Sequence, residues 1–105
     1  MLPLETISPE MLDDCVRRQE GVLIDLRTPE QFEQSHIKGA VNVPYEESRR
    51  LEYYPKNQPL ILYCDRGGAS LSVAKDLARK GYQTRSLIGG MESYEGPSLV
   101  FPKKR

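Results

Sequence analysis

An α/β domain built on a mainly parallel sheet is predicted by three features of the sequence. Short apolar or β-branched runs recur at residues 4–7, 22–24, 40–43, 60–63 and 84–88. Helical patterns separate most of them, the order that builds strand–helix–strand crossovers. The run Leu60, Ile61, Leu62 and Tyr63 is long enough for a strand buried on both faces and too short for a helix. With 105 residues the chain is one domain with room for one modest core.

The elements follow in order. Residues 4–7 read as a short strand. Ser8, Pro9 and Glu10 start a helix: a capping hydroxyl, a proline at the first helical position, then an acid facing the dipole. Met11, Leu12, Cys15 and Val16 share one face of that helix, which is expected to end near Glu20 and Gly21. Cys15 therefore reads as a small buried hydrophobe. Residues 22–24 form the second strand, ending at Asp25, Leu26 and Arg27. Thr28 and Gln31 suit a capping box for a short helix that Phe32 anchors. Residues 40–43 read as a strand, 45–52 as a helix anchored by Tyr45 and Leu51, and 53–59 as a loop. The clearest helix covers 70–80, with Leu71, Ala74, Leu77 and Ala78 on one face and Gly81 just past its end. Residues 84–88 are the last strand, broken by Gly89 and Gly90. The segment 97–105, with two prolines and a Lys103, Lys104, Arg105 ending, reads as a loose basic tail after a domain of residues 1–96.

Fifteen basic residues balance fifteen acidic ones, so no global field favours nucleic acid or an anionic membrane. No apolar run is long enough to span a bilayer, and the first residues lack the pattern of a signal peptide. Two cysteines far apart suit reduced thiols, and a cytoplasmic location is expected. Cys15, Cys64 and His36 have no metal-ligand spacing, so no metal site is expected. The oligomeric state is left open.

Chemistry concentrates after the central strand. Cys64 ends it, a turn with Gly67 and Gly68 follows, and the pattern is helical from Ser70. Strand, glycine turn and helix aim successive backbone N–H groups at one spot near the positive end of a helix dipole. Such a spot holds an anion, and Cys64 is the side chain placed to be that anion. Cys64 is read as a nucleophile, with Arg66 a cationic neighbour if its side chain turns inward. Asp65, Arg66, Gly67, Gly68, Ala69 and Ser70 are the candidate substrate- and anion-binding loop. Asp65 stabilises the turn while its charge opposes an anionic donor. In parallel α/β sheets sites lie at the carboxyl ends of the strands, where Asp25 and Arg27 also fall. These two are read as a supporting ion pair, and His36 as a packing residue. Asn42 and Tyr45 are placed at the pocket mouth.

These residues carry a resemblance. Leu23-Ile24-Asp25-Leu26-Arg27-Thr28-Pro29-Glu30-Gln31-Phe32, then His36-Ile37-Lys38-Gly39-Ala40-Val41-Asn42-Val43-Pro44, resembles the N-terminal signature of the rhodanese domain. Tyr63-Cys64 with its glycine loop resembles that family's active-site segment, and Gly89-Gly90-Met91 its closing segment. The match spans residues 4–96. It implies a five-stranded parallel sheet flanked by helices on both faces, and sulfurtransferase chemistry through a cysteine persulfide with no metal or organic cofactor. It also implies a small sulfur donor, thiosulfate or a persulfide, and a thiol or protein acceptor. Active rhodaneses commonly carry a basic residue at the fifth position after the cysteine, which here is Ala69. Two readings of Arg66 stay open: it replaces that residue in binding the donor anion, or it points to solvent and thiosulfate is a poor donor. A phosphatase on the same fold would need a longer loop ending in arginine, where this chain has Ser70. The remaining alternative is a non-catalytic rhodanese-like binding or sensing module.

Overall fold

The run Leu60–Tyr63 lies at the middle of a sheet, with all four residues buried. The computed structural model describes residues 4–102. In chain order the elements are β1 (Leu4–Ile7), α1 (Pro9–Arg18), β2 (Val22–Asp25), α2 (Pro29–Gln34), β3 (His36–Ile37) and β4 (Val41–Asn42). A 3-10 stretch (Tyr45–Tyr53) leads to β5 (Leu60–Tyr63), α3 (Gly68–Arg79), β6 (Thr84–Leu87), a 3-10 turn (Met91–Ser93) and β7 (Leu99–Val100). Five strands form one sheet in the order β1-β6-β5-β2-β4, parallel at every pairing.

Side chains of β5 alternate between two cores because successive residues point to opposite faces. Leu60 and Leu62 join Val73, Ala74 and Leu77 of α3 and Leu51 of the 3-10 stretch. Ile61 and Tyr63 join Leu12 and Cys15 of α1 with Ile7, Leu23, Ile37 and Leu87. Helical elements therefore cover both faces, as expected. Burying a side chain such as Leu77, which is 2% exposed, stabilises the packing by roughly 2 kcal/mol. Cys64 belongs to the first core and Cys15 to the second, so the sheet separates the two free thiols. Cys15 is buried, as expected, and its Sγ accepts from Arg85 Nη1 at 3.2 Å.

Local chemistry sets the helix starts. Ser8 caps α1, its Oγ accepting from Met11 N–H at 3.2 Å. Thr28 and Gln31 form the capping box of α2. Several boundaries differ from expectation. α1 ends at Arg18 because Gln19 turns left-handed at φ +53°, and Met11 is half exposed instead of facing the core. α3 begins at Gly68 instead of Ser70: Gly67 takes the left-handed cap, and Gly68 and Ala69 are already helical. Residues 45–53 are two 3-10 turns joined at a kink at Glu47, not an α-helix.

The loose-tail reading is corrected for the described part of residues 97–105. β7 pairs antiparallel with β3, Lys38 N–H donates to the Ser98 carbonyl at 2.7 Å, and Ser98 Oγ donates to buried Asp13 at 2.8 Å. Tyr94 Oη donates to the same Asp13 oxygen at 2.6 Å. A two-residue strand has no periodicity of its own, so its partner alone defines it. The Lys103, Lys104, Arg105 ending lies outside the described residues. Among those, no helix is long and apolar enough to cross a membrane.

Candidate active site

Cys64 follows β5 directly and is 6% exposed. The chain then turns through Asp65 and Arg66 to Gly67, whose φ of +103° closes the loop onto α3. A non-glycine residue would be strained there, and an added Cβ would meet Gly89 N at 3.2 Å. This geometry aims the backbone N–H of Gly67 at Cys64 Sγ at 3.1 Å and that of Ser70 at 3.3 Å. The first turn of α3 thus faces the sulfur, where unsatisfied N–H groups and the helix dipole both favour negative charge. Ser70 contributes its N–H but not its hydroxyl. That hydroxyl donates to the Gly67 carbonyl at 3.3 Å and lies 2.8 Å from Ser86 Oγ on β6, pinning the helix start to the sheet.

The loop rests on the closing segment. Met91 N–H donates to the Cys64 carbonyl and Glu92 N–H to the Asp65 carbonyl, both at 2.8 Å. Gly90 at φ +62° lies so close that a Cβ there would sit 2.5 Å from Asp65. Only glycine fits this approach.

A cleft of about 850 Å³ opens over Cys64. Asp65, Arg66, Gly68 and Ala69 line it, joined by Leu26, Arg27, Tyr45, Met91 and Glu92. Ala69 presents only a methyl group. Arg66 does not turn inward: its side chain is 81% exposed, lies 3.4 Å from Glu92, and makes no hydrogen bond to the sulfur. Asp65 accepts from Gln31 Nε2 at 3.2 and 3.0 Å, which ties the loop to α2.

Asp25 and Arg27 form a buried pair, with Arg27 Nη2 2.8 Å from Asp25 Oδ2. Burial works against the Arg27 charge, but Asp25 outweighs it and holds the pKa above its ordinary value. Arg27 also donates to the Ser35 carbonyl, and Tyr63 Oη donates to Asp25 at 2.7 Å while accepting from Ile37 N–H. The pair fixes the end of β2 beside the cleft and makes no contact with Sγ. Tyr45 lines the cleft as expected, whereas Asn42 does not: its amide donates to the carbonyls of Asp25 and Arg27 at 3.0 Å. His36 stacks on Phe32 and bonds its carbonyl, a packing role as read. Sequence reasoning brought the segment 25–27, with Leu26, to this end of the sheet but missed Gln31, Glu46 and Glu92 as cleft residues. Only the capping box placed Gln31 on an ordered turn, and nothing in it pointed to Asp65. No group of three or more His, Cys, Asp or Glu among the described residues could hold a metal.

Fold and site together define a small α/β domain that presents one cysteine in an N–H cradle at the carboxyl end of its sheet. The chain belongs to the rhodanese-like domain family, which it matches over residues 8–96. It is 35% identical over 97 residues to thiosulfate sulfurtransferase GlpE of Actinobacillus succinogenes, covering 89% of this chain and 86% of that protein. It is 33% identical over 75 residues to a tRNA sulfurtransferase of Desulfurococcus amylolyticus, covering 71% of this chain but 15% of that longer protein. The crystal structure of SSP1007 from Staphylococcus saprophyticus shares the fold at a TM-score of 0.80 and 24% identity, covering 91% of this chain and 98% of that one. These kinships support sulfur transfer by a rhodanese-type transferase, and a non-catalytic binding module is not favoured.

Proposed function

We propose that this chain carries sulfane sulfur as a persulfide on Cys64. The Cys64 thiolate attacks the outer sulfur of a donor. With thiosulfate, the S–S bond breaks with its electron pair on sulfite, leaving Cys64–S–S⁻. With an organic persulfide, the leaving thiolate takes the persulfide proton and departs as a thiol. A thiol or protein acceptor then attacks the terminal sulfur and regenerates Cys64, a two-step covalent cycle with ping-pong kinetics. The step as written needs no metal or organic cofactor.

The observation that carries this reading is the pair of N–H donors on Sγ, 3.1 and 3.3 Å away. They are preorganised for an anionic sulfur before any donor arrives, and one such donor elsewhere is worth about 3 kcal/mol. Asp65, Arg66, Gly68 and Ala69 form the wall that receives the donor, and Asp25 and Arg27 support it. A reducing compartment suits the free thiol, so the cytoplasm is the proposed location.

Intact-protein mass spectrometry tests the reading. After incubation with thiosulfate, and separately with a low-molecular-weight persulfide, the wild type is expected to gain one sulfur atom and folded Cys64→Ser none. Equal gain in both proteins, or no gain in folded and reduced wild type with either donor, overturns it.

A further inference from the structure

The charges around the cleft do not suit a small inorganic dianion. Arg27 is answered by Asp25, and Arg66 at the rim is answered by Glu92. Asp65 and Glu46 also line the cleft. Asp65 takes its hydrogen bonds from neutral Gln31 and lies in the field of Arg27, which Asp25 already pairs, and among the described residues no lysine or arginine forms a salt bridge with either Asp65 or Glu46. The mouth is therefore acidic in a chain whose fifteen basic and fifteen acidic residues cancel. The apolar part of the wall is Leu26, Ala69 and Met91, with the half-exposed ring of Tyr45 beside it. Aliphatic stems of lysine or arginine pack on such a wall, and an aromatic face accepts their charge. At about 850 Å³ the cleft also holds far more than a sulfur oxyanion.

The geometry points to a thiol or persulfide presented on a basic segment of a partner protein as the preferred reactant of this cleft. The inference rests on the persulfide reading of Cys64 and adds the selection: cations are drawn to the acidic mouth and dianions are opposed by it. Glu46 and Glu92 are the residues that set this preference from outside the catalytic loop. Opposite charges at a rim act first on encounter, so the preference is sensitive to salt.

Two short peptides test it, each with a single persulfidated cysteine, one flanked by lysines and the other by glutamates. Both are offered to the whole protein at low and high salt, with thiosulfate as a third donor, and mass spectrometry follows sulfur arriving on Cys64. The lysine peptide is expected to load Cys64 about tenfold faster than the glutamate peptide at low salt, with the gap closing at high salt. The double variant Glu46→Gln, Glu92→Gln is expected to narrow the gap and to speed loading by thiosulfate. Where Cys64 loads, equal rates from the two peptides, or a gap that the double variant leaves unchanged, overturns the inference. Fluorescence polarisation with serine in place of the peptide cysteine separates this result from the persulfide reading. Tighter binding of the lysine peptide without any loading supports the charge selection and sinks the persulfide. Loading without a charge preference in either assay does the reverse.

Discussion

Tyr63 joins three parts of the molecule through one hydroxyl. It donates to Asp25 Oδ2 at 2.7 Å and accepts from Ile37 N–H at 3.0 Å, in the core next to Cys64 in the chain. Tyr63→Phe leaves a buried carboxylate oxygen and a buried N–H each one partner short. The expected cost is about 2 kcal/mol, read as a drop in melting temperature of roughly 10 °C. Burial first, and the Asp25 charge second, push the Tyr63 pKa well above its ordinary value. The unfolded chain therefore loses this proton before the folded one does. The stabilisation is fully present below the unfolded value of about 10 and is lost as pH rises through the higher folded value. Tyr94 is raised in the same direction, by burial and then by its bond to Asp13. Denaturant melts from neutral to strongly alkaline pH are expected to show stability falling above about pH 10, and Tyr63→Phe to flatten that fall. A slope identical in the variant would remove Tyr63 as its origin. Little of this was legible in the sequence. Asp25 and Arg27 were visible as a strand-end pair, but the pairing of Tyr63 with them crosses from β5 to β2 and has no local signature.

The turn from β5 into α3 is the element that makes the site. Its left-handed Gly67 both caps the helix and swings the first N–H onto the sulfur. Gly67→Ala is expected to cost about 2 kcal/mol from the positive φ and the tight approach to Gly89. The same change tilts the N–H away from Sγ, so the rate at which Cys64 gains sulfur is expected to fall at least about tenfold. Thermal melts and single-turnover mass spectrometry read the two effects separately, and a loading rate equal to wild type would remove the cradle from the mechanism. Strand, glycine turn and helix were legible here because each leaves its own mark: a short apolar run, paired glycines, then apolar residues three and four apart. Of the two positions the sequence leaves open to Arg66 the outward one is taken, because Glu92 comes from a segment distant in sequence and draws the guanidinium to the rim.

At the scale of the whole molecule, the C-terminal segment completes a fold that its composition disguises. Prolines and a basic ending suggested a free tail, yet Leu99–Val100 pairs with His36–Ile37 and Ser98 bonds α1 through Asp13. Deleting residues 97–105 strips β3 of its partner and Asp13 of one donor. The expected loss is roughly 2–3 kcal/mol, visible as a lower denaturant midpoint. An unchanged midpoint would mean the docking adds no stability. The parallel sheet and its two covered faces were legible because alternation of strands and helices admits few other arrangements. The docked terminus was not, because only long-range pairing defines it.

The placement of the two cysteines on opposite faces of that sheet bears on how long a sulfur cargo would last. A persulfide is open to attack by any thiol that reaches its terminal atom, and Cys15 could reach Cys64 only through the strands between them. The chain therefore has no internal partner with which to discharge itself into a disulfide. A loaded molecule would wait, and the timing of release would belong to whatever thiol next enters the cleft.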